Sequence, residues 1–254
     1  MKLISLNTWG GRAGKANLLA FFEANKDVDI FCLQEILSAP YQDLYGSPAG
    51  GLAFDHTKIM NYGLQEISTV LSNHMPYFKP HYLDNYGLMM LVKKDIDVIS
   101  EGETFVYKEK GHVPVGDVGT HARNLQYVTL ATKDGDKTIL NFHGLWNGQG
   151  KGDSEDRIIQ SKKILQFINT LSIPFVLAGD FNLLPDSQSL RMIEDSGLRN
   201  LIKEYGISST RTSLYKKEEK FADYIFVTDE IKVNDFKVMS DEVSDHSPLL
   251  LGFE

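Results

Sequence analysis

The hydrophobic pattern of the chain consists of short apolar runs separated by polar segments that contain Gly, Asp, Asn or Pro. Most runs have the length and the Val, Ile, Phe and Tyr content that are typical of β-strands. The sequence Asp134-Gly135-Asp136 between two of the runs is typical of a hairpin turn. The pattern predicts strands over residues 2–8, 29–33, 78–83, 86–92, 98–106, 125–132, 138–142, 175–178, 224–227, 232–238 and 248–252.

Four further segments predict helices, at residues 15–25, 63–73, 154–171 and 187–195. The third is the best marked, because Ser154 can serve as its N-cap and its first turn is acidic. Residues 36–60 are rich in Gly, Pro and Tyr, and this composition predicts a long loop. A loop of that length in a compact domain is more often functional than idle.

Many strands with few helices predict two packed sheets with helices outside, which is an α/β sandwich. The chain has 254 residues and shows neither an internal repeat nor a linker, so we expect one domain over residues 1–254. A net charge of -8 argues against a protein that binds by broad phosphate neutralisation. The single cysteine, Cys32, excludes an internal disulfide. We find neither a signal peptide nor an apolar run long enough for a membrane span, so the expected compartment is the cytoplasm.

Polar side chains occur at or near the ends of six apolar runs. A buried strand does not usually end on an ionisable group unless the group has a role there. If the strand ends meet at one rim, about four carboxylates, two imidazoles and two amides share one cleft, which is typical of a hard-cation site with acid–base chemistry beside it. These residues are Asn7, Glu35, His143, Asp180, Asn182, Asp223, Asp245 and His246.

Individual members of this set have chemistry of their own. Glu35 is the first candidate for a direct ligand, because Mg²⁺ prefers carboxylate oxygens and keeps several waters. Asp180 can orient or deprotonate a water, while the Asn182 amide donates to a phosphoryl oxygen. Taken singly, Glu35 is better explained as a solvated carboxylate at a strand end, and Gly-Asp-Phe-Asn could be only an Asx-type turn.

The histidines predict a charged partner for a phosphate. Asp245 and His246 lie just before the last strand, and Asp223 opens another, so that one carboxylate can face the metal while a second hydrogen-bonds the imidazole and favours its charged form. His143 would bracket the phosphate from a different strand. The other five histidines are interpreted as structural, namely His56, His74, His81, His112 and His121.

The motifs LNTWG, LQE, HGLW, GDFN, DYIF and SDH, in this order over nearly the whole chain, resemble the endonuclease/exonuclease/phosphatase (DNase I-like) superfamily. The resemblance implies a four-layer α-β-β-α sandwich with two mostly antiparallel or mixed sheets. It also implies a phosphoesterase that depends on Mg²⁺ or Mn²⁺. In its terms the metal residues are Glu35, Asn7 and Asp245, and the catalytic residues are Asp180, Asn182, His143, His246 and Asp223.

Departures from the resemblance bear on the substrate. Apurinic endonucleases carry an acidic residue where this chain has Trp9, and the run GDFNLLP differs from inositol 5-phosphatases. DNase-like, sphingomyelinase-like and phosphatase-like members are more similar.

We expect hydrolysis of a phosphodiester, in nucleic acid or elsewhere. The alternatives are a phosphomonoesterase, a sphingomyelinase-like lipid-headgroup phosphodiesterase, and a non-catalytic binding module. Arg123 and Arg211 are candidates for contact with the substrate phosphate. Tyr41 and Tyr45 could stack on a base or headgroup, although a loop of this kind is more often solvated than a recognition surface. The sequence indicates no obligate protein partner.

Overall fold

Two six-stranded sheets dominate the computed structural model, which describes residues 1–41, 46–49, 52–53 and 55–254. The strands are β1 (Lys2–Asn7), β2 (Ile30–Leu37), β3 (Pro48–Ala49), β4 (Leu52–Ala53), β5 (His74–Tyr82), β6 (Tyr86–Lys93), β7 (Val98–Tyr107), β8 (Arg123–Leu130), β9 (Lys137–His143), β10 (Phe175–Asp180), β11 (Arg199–Asn200), β12 (Asp223–Val227), β13 (Val233–Val238) and β14 (Leu249–Phe253). The first sheet has the order β13-β14-β1-β2-β6-β5, and the second has the order β11-β12-β10-β9-β8-β7.

Helices cover the outer faces of both sheets. The α-helices are α1 (Lys15–Ala24), α2 (Gly63–Val70), α3 (Glu155–Ile168), α4 (Gln188–Glu194) and α5 (Leu201–Glu204). Helix α2 contacts β2 and β5 of the first sheet, whereas α3 contacts β7 and α5 contacts β12 of the second. Alternation along β1 places Leu3 in the core between the sheets and Ile4 in the core beneath α1 and α2. The predicted α/β sandwich with two mixed sheets is confirmed. In the described part of the chain, no helix has the length and apolar content to cross a membrane.

A buried polar network joins the two sheets through Gln34, Asn141 and Gln126, which we call the inter-sheet clasp. Gln34 donates from Nε2 to Asn141 Oδ1 at 2.7 Å, and Asn141 donates from Nδ2 to Gln126 Oε1 at 3.2 Å. Asn141 also donates to the backbone carbonyl of Leu33 at 3.1 Å. All three side chains of the clasp are fully buried. Because a buried amide without a partner is costly, the clasp favours a single alignment of the two sheets relative to each other.

The structure differs from the predicted elements mainly at their ends. Strand β5 begins at His74 rather than at residue 78, since it is an edge strand in which Pro76 and Pro80 are tolerated. The second and third helices end at Val70 and Ile168, about three residues before the predicted ends. Strand β11 and helix α5 were not predicted, because two and four residues carry too short a pattern.

The predicted loop at 36–60 also contains regular structure. Strand β2 extends to Leu37, β3 and β4 pair as a short antiparallel hairpin, and a 3₁₀ helix covers His56–Lys58. Tyr41 is buried and donates its hydroxyl to the carbonyl of Tyr82. Tyr45 lies outside the described residues.

Candidate active site

The second sheet brings three of the predicted site residues side by side. Strands β9 and β10 run parallel and end on His143 and Asp180, which are register partners. Strand β12 runs antiparallel to β10, so that its first residue, Asp223, is the register partner of Asp180. The carboxyl ends of two strands therefore meet the amino end of a third at one rim.

The first sheet supplies the other half of the site in the same way. Parallel strands β1 and β2 carry Asn7 and Glu35 at or near their carboxyl ends. The antiparallel strand β14 begins beside the end of β1, where Leu249 pairs with Ser5. Asp245 and His246, which precede β14, consequently reach the same rim. The polar positions thus lie at or near the carboxyl ends of the parallel strands, whereas Asp223 opens its strand and Asp245 and His246 precede theirs.

Asp180 occupies a tight strand end that requires glycine before it. Gly179 has φ +148°, and a Cβ at this position would overlap the carbonyl oxygen of Phe142 on β9. After Asp180 the chain turns at Asn182, which has φ +54°, and the Asn182 backbone N–H donates to Asp180 Oδ1 at 2.8 Å. The run Gly-Asp-Phe-Asn thus fixes the orientation of a fully buried carboxylate.

Glu35 is aimed by a β-bulge. The pairing of β2 with β6 shifts register between Leu33 and Ile36, and Glu35 has φ +59°. A non-glycine residue in this region is strained by about 1 to 3 kcal/mol, and such strain clusters at functional sites. The bulge leaves the Glu35 side chain partly exposed to the cleft in a strand that is otherwise buried.

Asn7 connects the carboxylates of the two sheets. Its Nδ2 donates to Glu35 Oε1 at 3.1 Å and to Asp180 Oδ2 at 2.9 Å. Its Oδ1 accepts from the Trp9 backbone N–H at 2.9 Å, which fixes the amide orientation. The amide thereby holds Glu35 and Asp180 in a defined relation.

His246 lies between two carboxylates. Its Nδ1 donates to Asp223, whose carboxylate oxygens are 2.8 and 2.9 Å away, and its Nε2 is 3.6 Å from Asp180 Oδ2. Burial and the Arg211 guanidinium lower the pKa of His246, but Asp223, Asp245 and Asp180 outweigh them and raise it above its ordinary value. The surrounding carboxylates therefore favour the charged form of the ring, whose Nε2 is directed at the reaction centre.

His143 has the opposite protonation preference. Its Nε2 is 3.7 Å from Asp180 Oδ2, and its buried Nδ1 makes no hydrogen bond to the described residues. Burial, followed by the nearby Arg123 charge, lowers the pKa of His143 well below its ordinary value. Two histidines thus flank one carboxylate, one charged and one neutral, which is the arrangement from which acid–base roles are assigned.

Asp180 is the common neighbour of these groups. Burial by itself would raise its pKa, but the charges of His246 and Lys151 outweigh it and hold the pKa below its usual range. Asp180 is consequently ionised, and its oxygens accept hydrogen bonds from Asn7 and Asn182.

Lys151 is a site residue that the sequence prediction missed. It is only 3% exposed, it donates to Asn182 Oδ1 at 2.9 Å, and its Nζ lies 5.5 Å from the Trp146 ring centroid. Burial lowers its pKa to about 8. The Asn182 Nδ2 meanwhile donates to Gly144 O at 3.2 Å, so this amide places the Lys151 ammonium at the reaction centre. Lys151 lies in an irregular glycine-rich loop, and no periodic pattern marks it.

The side chains meet in a cleft of about 440 Å³. Eight of the ten residues predicted for the site line it, whereas Asn7 and Asp223 lie behind the lining and contact it through Glu35, Asp180 and His246. Arg211 donates to Asp245 Oδ2 at 3.1 Å and stacks on Tyr215. The described lining contains three carboxylates, of Glu35, Asp180 and Asp245, and six lysine and arginine side chains, of Arg12, Arg123, Lys151, Arg211, Lys216 and Lys217.

Two sets of groups could hold a cation. Asp180, Asp223 and His246 each place one ligand atom within 4.8 Å of the others. However, both Asp223 oxygens lie at hydrogen-bonding distance from His246 Nδ1, so metal binding there would sacrifice that pair. Glu35 and Asp245 instead offer carboxylate oxygens to the cleft, and the buried Asp245 Oδ1 makes no hydrogen bond to the described residues. An oxygen set of this kind suits a hard divalent cation.

Comparison with known proteins identifies the fold. The model of the endonuclease/exonuclease/phosphatase family matches residues 4–246. Among curated proteins, none matches the chain significantly. A solved endonuclease/exonuclease/phosphatase family protein from Bacteroides thetaiotaomicron is 18% identical with a TM-score of 0.72, and the alignment covers 99% of this chain and 96% of that one.

Two similar structures carry more specific names. Mannosyl-6-phosphatase Bt3783 from Bacteroides thetaiotaomicron is 18% identical with a TM-score of 0.70, over 100% of this chain and 99% of that one. ANGEL2, a 2',3'-cyclic phosphatase, is 16% identical with a TM-score of 0.69, over 99% of this chain and 94% of that one. At these identities the likeness shows the fold alone.

Proposed function

Since the chain belongs to the endonuclease/exonuclease/phosphatase family and is a phosphoric ester hydrolase, we propose that it hydrolyses a phosphodiester by direct attack of water in the presence of a divalent cation. The surroundings of Asp180 carry this proposal. An ionised, buried carboxylate lies 3.6 Å from a charged imidazole and 3.7 Å from a neutral one, beside the Lys151 and Asn182 pair. Such a centre can orient a nucleophile and stabilise charge on a phosphoryl group.

Glu35, Asn7 and Asp245 are the residues we assign to Mg²⁺ or Mn²⁺. The assignment is supported by Asp245 Oδ1, which accepts no hydrogen bond from a described residue and lies 3.7 Å from His246 Nε2, and by the strained bulge that turns Glu35 to the cleft. The bound cation would neutralise charge on the phosphoryl and leaving-group oxygens.

Four side chains of the cleft have further roles in the proposed reaction. Asp180 accepts a hydrogen bond from the attacking water and fixes its direction, since its lowered pKa makes it a weak base. His246, charged and anchored by Asp223, donates to a phosphoryl oxygen from Nε2, and Lys151 adds a second positive charge there. His143 contacts the phosphate as a neutral ring on the other side of Asp180.

A phosphomonoester is the second candidate substrate class. Six lysine and arginine side chains against three carboxylates in the described cleft lining would suit a dianionic phosphate, although the whole chain has a charge of -8. A solved protein of similar fold is a mannosyl-6-phosphatase.

One assay tests the proposed function and separates the two classes. Purified protein would be given bis(4-nitrophenyl) phosphate and 4-nitrophenyl phosphate with Mg²⁺, with Mn²⁺ and with chelator, followed by DNA, RNA and sphingomyelin. We expect turnover of the diester that chelator abolishes, and one ¹⁸O atom in the product when the reaction runs in labelled water. Faster hydrolysis of the monoester would favour the second candidate. Absence of turnover with either cation would favour a non-catalytic binding module.

Replacing Glu35 with glutamine is expected to weaken Mn²⁺ binding about tenfold or more, because a neutral amide replaces a charged ligand. Calorimetric titration with Mn²⁺ measures this directly, and the metal concentration for half-maximal activity should rise in parallel. The matched control is Glu230→Gln, a change on an exposed turn. An unchanged Mn²⁺ affinity in Glu35→Gln would remove Glu35 from the assigned ligands.

The titration of Lys151 should give kcat/KM a specific pH dependence. Its pKa is lowered to about 8, so the ammonium is charged below that pH and neutral above it. We expect kcat/KM of the free enzyme to fall as pH rises through about 8. Lys151→Arg should remove this fall, because a guanidinium stays charged, while the surface control Lys203→Arg should keep the wild-type profile. A profile for Lys151→Arg that matches the wild type would contradict the role.

A further inference from the structure

Arg123 is a buried cation whose hydrogen-bonding capacity is largely unused. It begins β8, lines the cleft and is 2% exposed. Its Nη2 donates to the carbonyl of Gly119 at 3.1 Å, but Nε and Nη1 make no hydrogen bond to any described residue. A guanidinium carries five N–H donors, so most of the donors of Arg123 have no partner among the described residues.

The charge of Arg123 is equally uncompensated at close range. Among the described residues, no carboxylate oxygen lies within 4.0 Å of it. Burial lowers its pKa, and Glu35 and Asp180 offset this only from a greater distance. A buried charge without a partner is strongly unfavourable, so its position beside a cleft needs an explanation.

The groups around Arg123 are neutral rings. Tyr82 stacks on His121, and His121 stacks on His81, with both pairs of ring centroids 5.0 Å apart. Burial, followed by the Arg123 charge, lowers the pKa of His81 to about 3 and that of His121 well below its ordinary value. Burial also raises the pKa of Tyr86 well above its ordinary value. These rings are therefore uncharged, and none of them supplies an anion to the guanidinium.

Sheet order places Arg123 two strands away from Asp180 and next to the strand that ends on His143. Strand β9 lies between β8 and β10, and neighbouring strands are about 4.8 Å apart, so the β8 and β10 backbones are roughly 10 Å apart. His143 and Asp180 are paired across β9 and β10, and the pairing of β8 with β9 places Arg123 one residue further toward the same rim. The reaction centre already has His246 and Lys151 as its cations.

We infer that Arg123 binds a second anionic group of the substrate, a carboxylate or a further phosphate, while the scissile phosphate lies at Asp180 and His246. The body of such a substrate would lie along the apolar and aromatic wall of the cleft, which includes Leu37, Tyr41, Ile59, Tyr82, Tyr86 and Val118. This inference rests on the proposed function, because it places the second group relative to the scissile phosphate. It narrows the substrate to a small phosphoester with two anionic groups.

Two matched pairs of substrates test the inference. Glycerol 3-phosphate and 3-phosphoglycerate differ in a carboxylate, and the dinucleotides TpT and pTpT differ in a terminal phosphate. We expect the wild type to prefer the anion-bearing member of at least one pair by about 10- to 100-fold in kcat/KM, which is the usual effect of a charge-assisted hydrogen bond. The pair that shows the preference identifies the anion.

Arg123 variants assign the preference to this side chain. In Arg123→Gln the ratio of kcat/KM within the preferred pair should fall to about 1, and Arg123→Lys should restore part of it. The control is Arg199→Gln, which alters a surface arginine paired with Glu204 and should keep the wild-type ratio. Circular dichroism melting establishes that each variant is folded. If Arg123→Gln does not fold, the wild-type ratios and Arg123→Lys still decide the question.

Measurements of substrate binding test the proposed Arg123 subsite independently of the proposed reaction. Calorimetry on Asp180→Asn with Mg²⁺ measures affinity for the same pairs without turnover. A preference in binding, with no hydrolysis of any substrate by the wild type, would uphold the subsite and overturn the reaction. Hydrolysis with equal kcat/KM within both pairs, or a preference that persists in Arg123→Gln, would overturn the subsite.

Discussion

Replacing Asp180 with asparagine is expected to lower kcat about 1,000-fold at saturating Mg²⁺, while the chain remains folded. The charge that orients the nucleophile is lost, and the amide group can no longer accept from every donor around it. Asn7 Nδ2 and the Asn182 backbone N–H both point at this carboxylate, from 2.9 and 2.8 Å. One of them will face an N–H group instead, at a cost of about 1 to 3 kcal/mol in stability.

The control for this change lies six residues further along. Asp186→Asn makes the same chemical substitution at an exposed position and should leave kcat within about twofold of the wild type. Steady-state kinetics and thermal melting of both variants give the comparison. A kcat for Asp180→Asn near that of Asp186→Asn would remove Asp180 from the reaction centre.

His246→Ala is expected to lower kcat about 100- to 10,000-fold, because it removes the charged donor next to the phosphoryl position. Asp223→Asn should have a smaller effect, since the ring remains but loses the carboxylate that fixes and charges it through Nδ1. Residues that act as a unit are strongly non-additive. The double variant should therefore be no slower than His246→Ala alone.

Steady-state measurements of the two single variants and the double variant complete this cycle. His112→Ala provides a histidine control outside the cleft lining. If the losses multiply in the double variant, Asp223 and His246 act separately and the proposed pair is wrong.

Much of the fold could be predicted because the two sheets obey simple rules of pattern. The runs that form β1, β9 and β10 are nearly uniformly buried in the structure, which is why their polar ends were conspicuous in the sequence. The N-cap prediction for α3 is also confirmed, since the Ser154 side chain accepts from the Arg157 backbone N–H. An element whose pattern extends over several consecutive residues can be predicted without knowledge of the tertiary structure.

The remainder depends on three-dimensional pairing that no local pattern contains. The bulge that turns Glu35 toward the cleft arises from a register shift against β6, which comes much later in the chain. Lys151 reaches Asn182 from an irregular loop. In the sequence Tyr82 is one residue of a predicted strand and His121 is a histidine interpreted as structural, and only the folded chain stacks these two rings beside Arg123 at the cleft.

The inter-sheet clasp has a further consequence for how the site assembles. Each sheet contributes about half of the reactive groups, with Asn7, Glu35 and His246 on one and His143 and Asp180 on the other. Gln34 cannot leave Asn141 without stranding two buried amides, so this network adds to side-chain packing in fixing one alignment of the sheets. Catalytic competence should therefore appear only once both halves have docked in that single alignment, and a folding intermediate with either half alone would be inert.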